Sequence, residues 1–300
     1  MILPPHPTRL VRASRADLVA AAGVLAWIGI LLVIDGVRAL DPIEPARQVL
    51  LGAATWLMLG GLLRRETPLV RAQTLVVVAL ATCVEYTFSP LLQAYVYRIG
   101  TVPPFVPPGH GLVYLAALSL GRTPLFVAAR RPLVVLTVAS GAIWTALGLL
   151  GPRHDVLGAT WFGCLLAFLA WGPNRLLYVG AYLVVSYLEL AGTSLGTWAW
   201  ASKDPVLHVI GQGNPPSGAA GGYGWFDLYA LLLAPTLLTM VRAVGGRLRG
   251  YADADSAASA ASWSRPLVAR ALPPLAPSSP SMEVNRPPAS TTTGTRAAMS

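Results

Sequence analysis

Residues 18–34 read LVAAAGVLAWIGILLVI, with no charged side chain anywhere in the run. In a hydrocarbon layer no water is present to satisfy backbone N–H and C=O groups, so such a segment has to bond itself as a helix. A layer about 30 Å thick takes roughly 20 residues of helix to cross. Comparable runs recur at about 46–63, 69–90, 110–121, 133–151, 156–172, 176–197 and 225–244. The fourth is the weakest, because Arg122 and Pro124 interrupt it. Charged residues make up 12% of the chain, against about a quarter in soluble domains, and the mean hydropathy is +0.58. These features predict an all-α polytopic membrane helix bundle of about eight transmembrane helices.

The formal charge of +9 is distributed as a topology signal rather than as a nucleic-acid surface. With the N-terminus in the cytoplasm, the inner segments hold Arg9, Arg12, Arg15, Arg64, Arg65, Arg71, Arg122, Arg130, Arg131, Arg175, Arg242, Arg247 and Arg249. The outer loops hold only Arg38, Arg47, Arg98, Arg153 and Lys203, and acids beside them offset that charge. Cytoplasmic loops carry the basic excess in membrane proteins. The expected location is therefore the cell membrane, multi-pass, with both termini cytoplasmic and no nucleic-acid partner. Residues 1–17 read as a cytoplasmic N-terminal segment with no convincing cleavable signal after it. From about 250 to 300, Ala, Ser, Pro and Thr dominate, and the segment reads as a disordered cytoplasmic tail. Cys83 and Cys164 each stand alone in apolar runs and are expected to be buried, inert thiols. Arginine in place of lysine, with abundant Ala, Gly and Pro, suits a GC-rich bacterial genome.

The third and seventh runs share a pattern. Glu85 is followed by Tyr95-Val96-Tyr97 and then by Pro107-Pro108-Gly109; Glu189 is followed by Trp198-Ala199-Trp200 and then by Pro215-Pro216. Four spans separate the two copies, an even number, so both would face the same way. This predicts a parallel 4+4 internal repeat, with a first four-helix unit at 18–131 and a second at 132–249.

A carboxylate inside a span is costly and marks a candidate functional site. Glu85 and Glu189 are the candidate catalytic acids. Both fall towards the outer ends of their spans, near His110, Asn214, Asp227, Tyr97 and Trp200, the candidate substrate-binding residues. Each has a plainer reading. The glutamates can bond a neighbouring helix, Asp227 can mark the start of a span, His110 can anchor a helix end, and Asn214 can initiate a turn. The Tyr and Trp residues sit where interfacial aromatic belts occur. The chain carries no Walker loop, dinucleotide-binding glycine pattern, H-E-x-x-H or cysteine cluster, so neither cofactor nor metal is expected. GTSLG at 192–196 looks like a nucleophile elbow but lies in a hydrophobic run without the strand that motif needs.

The order Glu85, Tyr95-Val96-Tyr97, then Gly100-Thr101-Val102-Pro103 resembles a pattern in the carotenoid-hydratase-like membrane proteins of carotenoid biosynthesis. Trp198-Ala199-Trp200 followed by Gly213-Asn214-Pro215 is similar to further elements of that group. The stretch before the tyrosines, Phe88 to Ala94, departs from the group's pattern. The resemblance implies a lipid-embedded site acting on an isoprenoid, with a glutamate as proton donor and aromatic faces around a cation. The expected function is binding or modification of a hydrophobic lipid or isoprenoid near the outer face, with membrane lipids as surroundings. A proton-coupled transporter and a non-catalytic subunit of a membrane complex remain alternative readings.

Overall fold

The computed structural model describes residues 7–263, with side chains from 15 to 245. Of the described residues, those up to Gly245 form one compact unit. That unit is built from helices α1 (Pro7–Gly36), α2 (Glu44–Leu63), α3 (Pro68–Tyr86), α4 (Val106–Arg122), α5 (Pro124–Ala128), α6 (Arg130–Leu150), α7 (Val156–Trp171), α8 (Arg175–Ser194) and the start of α9 (Ala219–Trp263). Two three-residue strands, β1 (Tyr95–Tyr97) and β2 (Trp198–Trp200), follow α3 and α8. Among the described residues six helices are long and apolar enough to cross a membrane: 15–36, 38–63, 68–91, 130–150, 175–194 and 219–245. The two remaining expected spans are present as shorter helices, α4 with 17 residues and α7 with 16.

Helix starts follow ordinary capping chemistry. The Thr67 hydroxyl accepts the Val70 N–H with Pro68 at the first helical position of α3, and Asn174 accepts the Leu177 N–H to open α8. Past Tyr86 the backbone widens into a π-helical turn over Thr87–Leu91, where the Leu92 N–H reaches back to the Thr87 carbonyl at 2.9 Å. Pro90 lies inside that turn; it has no N–H to give an α-helical ladder.

The core differs from that of a soluble bundle. Large apolar side chains point outward from most helices, among them Leu57, Leu150 and Trp171 at 77%, 84% and 85% exposure. An outer surface of this kind suits lipid, not water. The buried centre is α4, whose residues from Gly111 to Ser119 are all inaccessible and which packs against α1, α2, α3 and α8. Its apolar run is the weakest in the sequence because protein surrounds it. Small residues bring α4 and α8 together: a Cβ at Gly180 would run into the backbone of Ala117.

Three expectations need correction. His110 does not open the fourth span from a loop: α4 starts at Val106, so Pro107 and Pro108 form its first turn, where a missing N–H does no harm. Cys83 is exposed on the outward side of α3, as its place on the helix surface dictates. Helix α9 runs on to Trp263, beyond the 250 boundary set for a disordered tail. The segment 251–263 is rich in alanine, the strongest helix former. The rest of that expected tail, and the first six residues of the N-terminal segment, lie outside the described residues.

Polar fasteners hold the strand-bearing end of the bundle. Arg98, directly after β1, bonds Glu44 at 2.9 Å and Asp35 and Asp41 at 3.3 Å each. Arg47 pairs with Asp41 and Glu44 and donates to the Val37 carbonyl, while Gln48 joins Asp35 to Glu44. On the other side Asp155, 1% exposed, accepts three backbone N–H groups: Gly158 at 2.9 Å, Gly213 at 2.7 Å and Ser217 at 2.7 Å. That carboxylate caps α7 and ties down the segment between β2 and α9. Removing it leaves buried donors unsatisfied. Asp155→Ala is therefore expected to destabilise the fold by about 3 kcal/mol or more, seen as a lowered thermal midpoint in detergent. Asp155→Asn, which keeps one acceptor oxygen, is expected to lose less.

Candidate functional site

The two strands carry alternating side chains, so the outer residues of each triplet share one face. They pair antiparallel in the register Tyr95 with Trp200, Val96 with Ala199 and Tyr97 with Trp198. All four aromatic residues are buried, whereas Val96 and Ala199 are exposed. The rings interlock: Tyr95 and Trp200 have centroids 4.6 Å apart, and Tyr97 and Trp198 6.0 Å apart.

Beneath this face lie both glutamates, 5% and 2% exposed. Glu85 Oε2 accepts the hydroxyls of Tyr95 at 2.9 Å and Tyr97 at 2.8 Å, and its Oε1 lies 2.8 Å from His110 Nε2. Glu189 Oε2 accepts the indole N–H groups of Trp198 at 3.0 Å and Trp200 at 3.1 Å, and its Oε1 accepts the Tyr223 hydroxyl at 3.3 Å. Each strand thus serves the glutamate of the helix that precedes it. Burial, followed by the neighbouring Glu85 charge, pushes the Tyr95 and Tyr97 hydroxyls well above the usual phenol range, so both remain proton donors to the carboxylate. His110 stacks on Tyr223 at 5.1 Å and links the Glu85 side to the Glu189 side. His110 Nδ1 is buried and has no partner.

Both glutamates, His110 and the four strand aromatics line one cavity of about 410 Å³. Its remaining walls are mostly apolar, with contributions from Trp27, Leu31, Phe105, Trp161 and Phe226. Such size and lining suit a small hydrophobic ligand. Among the described residues no cluster of three His, Cys, Asp or Glu is placed to hold a metal ion.

The expected site residues separate into two groups. Glu85, Glu189, His110, Tyr97 and Trp200 come together at the cavity. Asn214 does not line it; the side chain is exposed and its oxygen accepts the Trp200 N–H at 2.9 Å, which fixes the end of β2. Asp227 is buried in α9 but is not among the lining residues, and its Oδ2 has no partner. It stands one helical turn beyond Tyr223 in the sequence of α9. Tyr95, Trp198 and Tyr223, read from sequence as belt aromatics, are instead hydrogen-bond donors to the glutamates. Trp161 and Gln212 also line the cavity and carried no sequence signal beyond their residue type.

The segment 201–213 covers part of the cavity. It closes on itself through a bridge between Lys203 and Gly211 and through the Gln212 N–H to the Ser202 carbonyl at 3.0 Å. Inside it the Asp204 carboxylate accepts five consecutive backbone N–H groups, from Val206 to Ile210. Those bonds, led by Ile210, hold its pKa down to about 2. Leu207 and Val209 face outward at 65% and 73% exposure, while Pro205, Val206 and Ile210 line the cavity. The cap is therefore apolar on both sides and organised around one charge.

Comparison with family models, with curated proteins and with solved structures returns no match.

A depressed carboxylate pKa gives the cap stability above the unfolded value near 4, lost as pH falls through about 2. Asp204→Ala is expected to speed amide exchange at Leu207 and Ile210 about tenfold or more at neutral pH. The helices should keep their protection. Wild-type protein should show the same loosening of the cap on acidification below about pH 4.

Proposed function

We propose that this chain is an integral membrane protein that binds and chemically modifies a hydrophobic lipid or isoprenoid, with an intramembrane glutamate as the acid. The observation that carries this reading is one shared, mostly apolar cavity bordered by two buried glutamates and by the rings that bond them. The shared cavity and the strand pairing across it also favour the parallel 4+4 repeat. In both copies a glutamate helix is followed by a left-handed residue two positions before the strand, Gln93 at φ 58° and Gly196 at φ 74°. Glycine takes that conformation without strain, and glutamine does so at a cost of about 1 kcal/mol. On this reading α4 and α7 complete eight spans.

The two glutamates have different partners and different roles. Only Glu85 has an imidazole beside it, and an imidazole can both give and take a proton. Glu85 with His110 is therefore the acid–base pair, the proton passing from Glu85 or from the imidazole to the substrate and returning by the same route. Indole N–H groups only donate hydrogen bonds. Glu189, held by two of them and by Tyr223, acts as a fixed acceptor whose oxygens stabilise positive charge on the substrate. The faces of Tyr95, Trp198 and Trp200 add to that stabilisation. Protonation of a carbon–carbon double bond would place a cation here, and a water molecule adding to it would return a proton to the pair.

Transport by rocking of one half against the other is less well supported. The two halves of the site are hydrogen-bonded to each other through β1 and β2; Arg98 anchors the end of β1, and Asn214 holds the end of β2. The site end is assigned to the outer face by the arginine asymmetry of the loops.

Two experiments test the reading. Lipid extracts of a host overexpressing the protein are expected to contain a converted lipid that disappears with Glu85→Gln, a loss of about a hundredfold or more in rate. Unchanged protein levels in that variant rule out misfolding as the cause, and an unchanged lipid profile in the wild-type host would sink the enzyme reading. Separately, Cys83 and Cys164 are replaced by alanine and single cysteines are placed at the exposed positions Thr101 and Lys203. Both are expected to react with a membrane-impermeant maleimide in intact cells; labelling only after lysis would overturn the outer-face assignment.

A further inference from the structure

One buried polar group in the cavity wall takes no part in the glutamate network. Gln212 is 1% exposed, lines the cavity, and its Nε2 has no hydrogen-bond partner. Its backbone is held on both sides. The Gln212 N–H bonds the Ser202 carbonyl at 3.0 Å, the Leu157 N–H bonds the Gly211 carbonyl at 3.0 Å, and the Gly213 N–H bonds Asp155 at 2.7 Å. The amide is therefore presented by a rigid segment. Burying an amide N–H without an acceptor is costly, and such groups in native proteins are commonly completed by a ligand or water.

We propose that Gln212 is the anchor for a neutral oxygen, a hydroxyl or a carbonyl, on an otherwise apolar ligand. This rests on the cavity being a hydrophobic-ligand site. An amide N–H donates to such an oxygen and offers nothing to a plain hydrocarbon. The remaining lining selects against anions: it contains Glu85, Glu189 and Asp204 and no Arg or Lys. A carboxylated or phosphorylated lipid would bring a negative charge beside these acids with no counter-charge in the wall. The ligand class is therefore a lipid alcohol, ketone or aldehyde. Gln212 is a binding and specificity residue, distinct from the acid–base pair at Glu85 and His110.

Tryptophan quenching in the full-length protein in detergent micelles reads this directly, since Trp161, Trp198 and Trp200 line the cavity. The probes are three chain-brominated C16 compounds: an alcohol, the matching alkane and the matching fatty acid. Wild-type protein is expected to bind the alcohol about fivefold to tenfold more tightly than the alkane, and the fatty acid more weakly than the alcohol at neutral pH. Gln212→Leu is expected to bring the alcohol down to the affinity of the alkane while the alkane still quenches, which also reports that the variant is folded. Equal affinity of wild-type protein for alcohol and alkane would overturn the proposal. So would a Gln212→Leu variant that retains the alcohol preference, or one that weakens both probes alike. If none of the three quenches the wild type, the hydrophobic-ligand reading itself fails, an outcome separate from a misassigned Gln212.

Discussion

The structure depends on the satisfaction of two carboxylates buried within a helical bundle. A lone charge or an unbonded carboxyl in such surroundings costs several kcal/mol. Six hydrogen-bond contacts to Glu85 and Glu189 offset that cost, and four of them come from two short strands. Strand geometry makes this economical. A period of two places both aromatic residues of each triplet on one face, and antiparallel pairing sets the two triplets side by side. A helix at the same place would spread the two donors of each triplet about 200° apart around its axis, and only one of them would reach a glutamate. The unusual backbone between α3 and α4, and between α8 and α9, follows from that requirement. The π-helical turn at Pro90 and the left-handed residues Gln93 and Gly196 turn the chain out of the helix and into the strand.

Much of this end of the molecule was legible in the sequence. The glutamates stood out because carboxylates are rare in apolar runs, and the spacing to Tyr95-Val96-Tyr97 and Trp198-Ala199-Trp200 marked the elements that would meet them. The partnership itself was hidden, because the same spacing suits a belt at a membrane surface. Nothing local distinguishes a tyrosine that faces headgroups from one that donates to a carboxylate ten residues earlier. The strands were illegible for a related reason: three residues have too little periodicity to signal any element. Pro107 and Pro108 work in the opposite sense, since paired prolines suit a turn as well as a helix start and here begin a helix.

Asn214 and Gln212 illustrate why a polar residue's role depends on its fold. They lie two positions apart in GQGNPPSG. Asn214 extends towards the chain and accepts the Trp200 N–H; Gln212 faces the cavity and is left with an unpaired donor. The difference is set by Asp155, 58 residues before Gly213 in sequence, whose carboxylate grips the backbone between them. No short-range pattern carries that information.

The asymmetry between the glutamates matters more than their likeness. A pair of identical sites facing one cavity would offer two equal acids, and a reaction that needs a donor and a stabiliser would have neither fixed. Where the first triplet offers two tyrosine hydroxyls, the second offers two indole N–H groups, so each glutamate takes two bonds from its strand but of different chemistry. His110 adds to the difference, because it bonds Glu85 and only stacks against the tyrosine that bonds Glu189. The two triplets thereby share one geometry, and indole in one against phenol in the other makes the surroundings of the two glutamates chemically distinct. The aromatic face closes over both carboxylates, which are 5% and 2% exposed, and in so dry a setting the difference between their hydrogen-bond partners carries the most electrostatic weight.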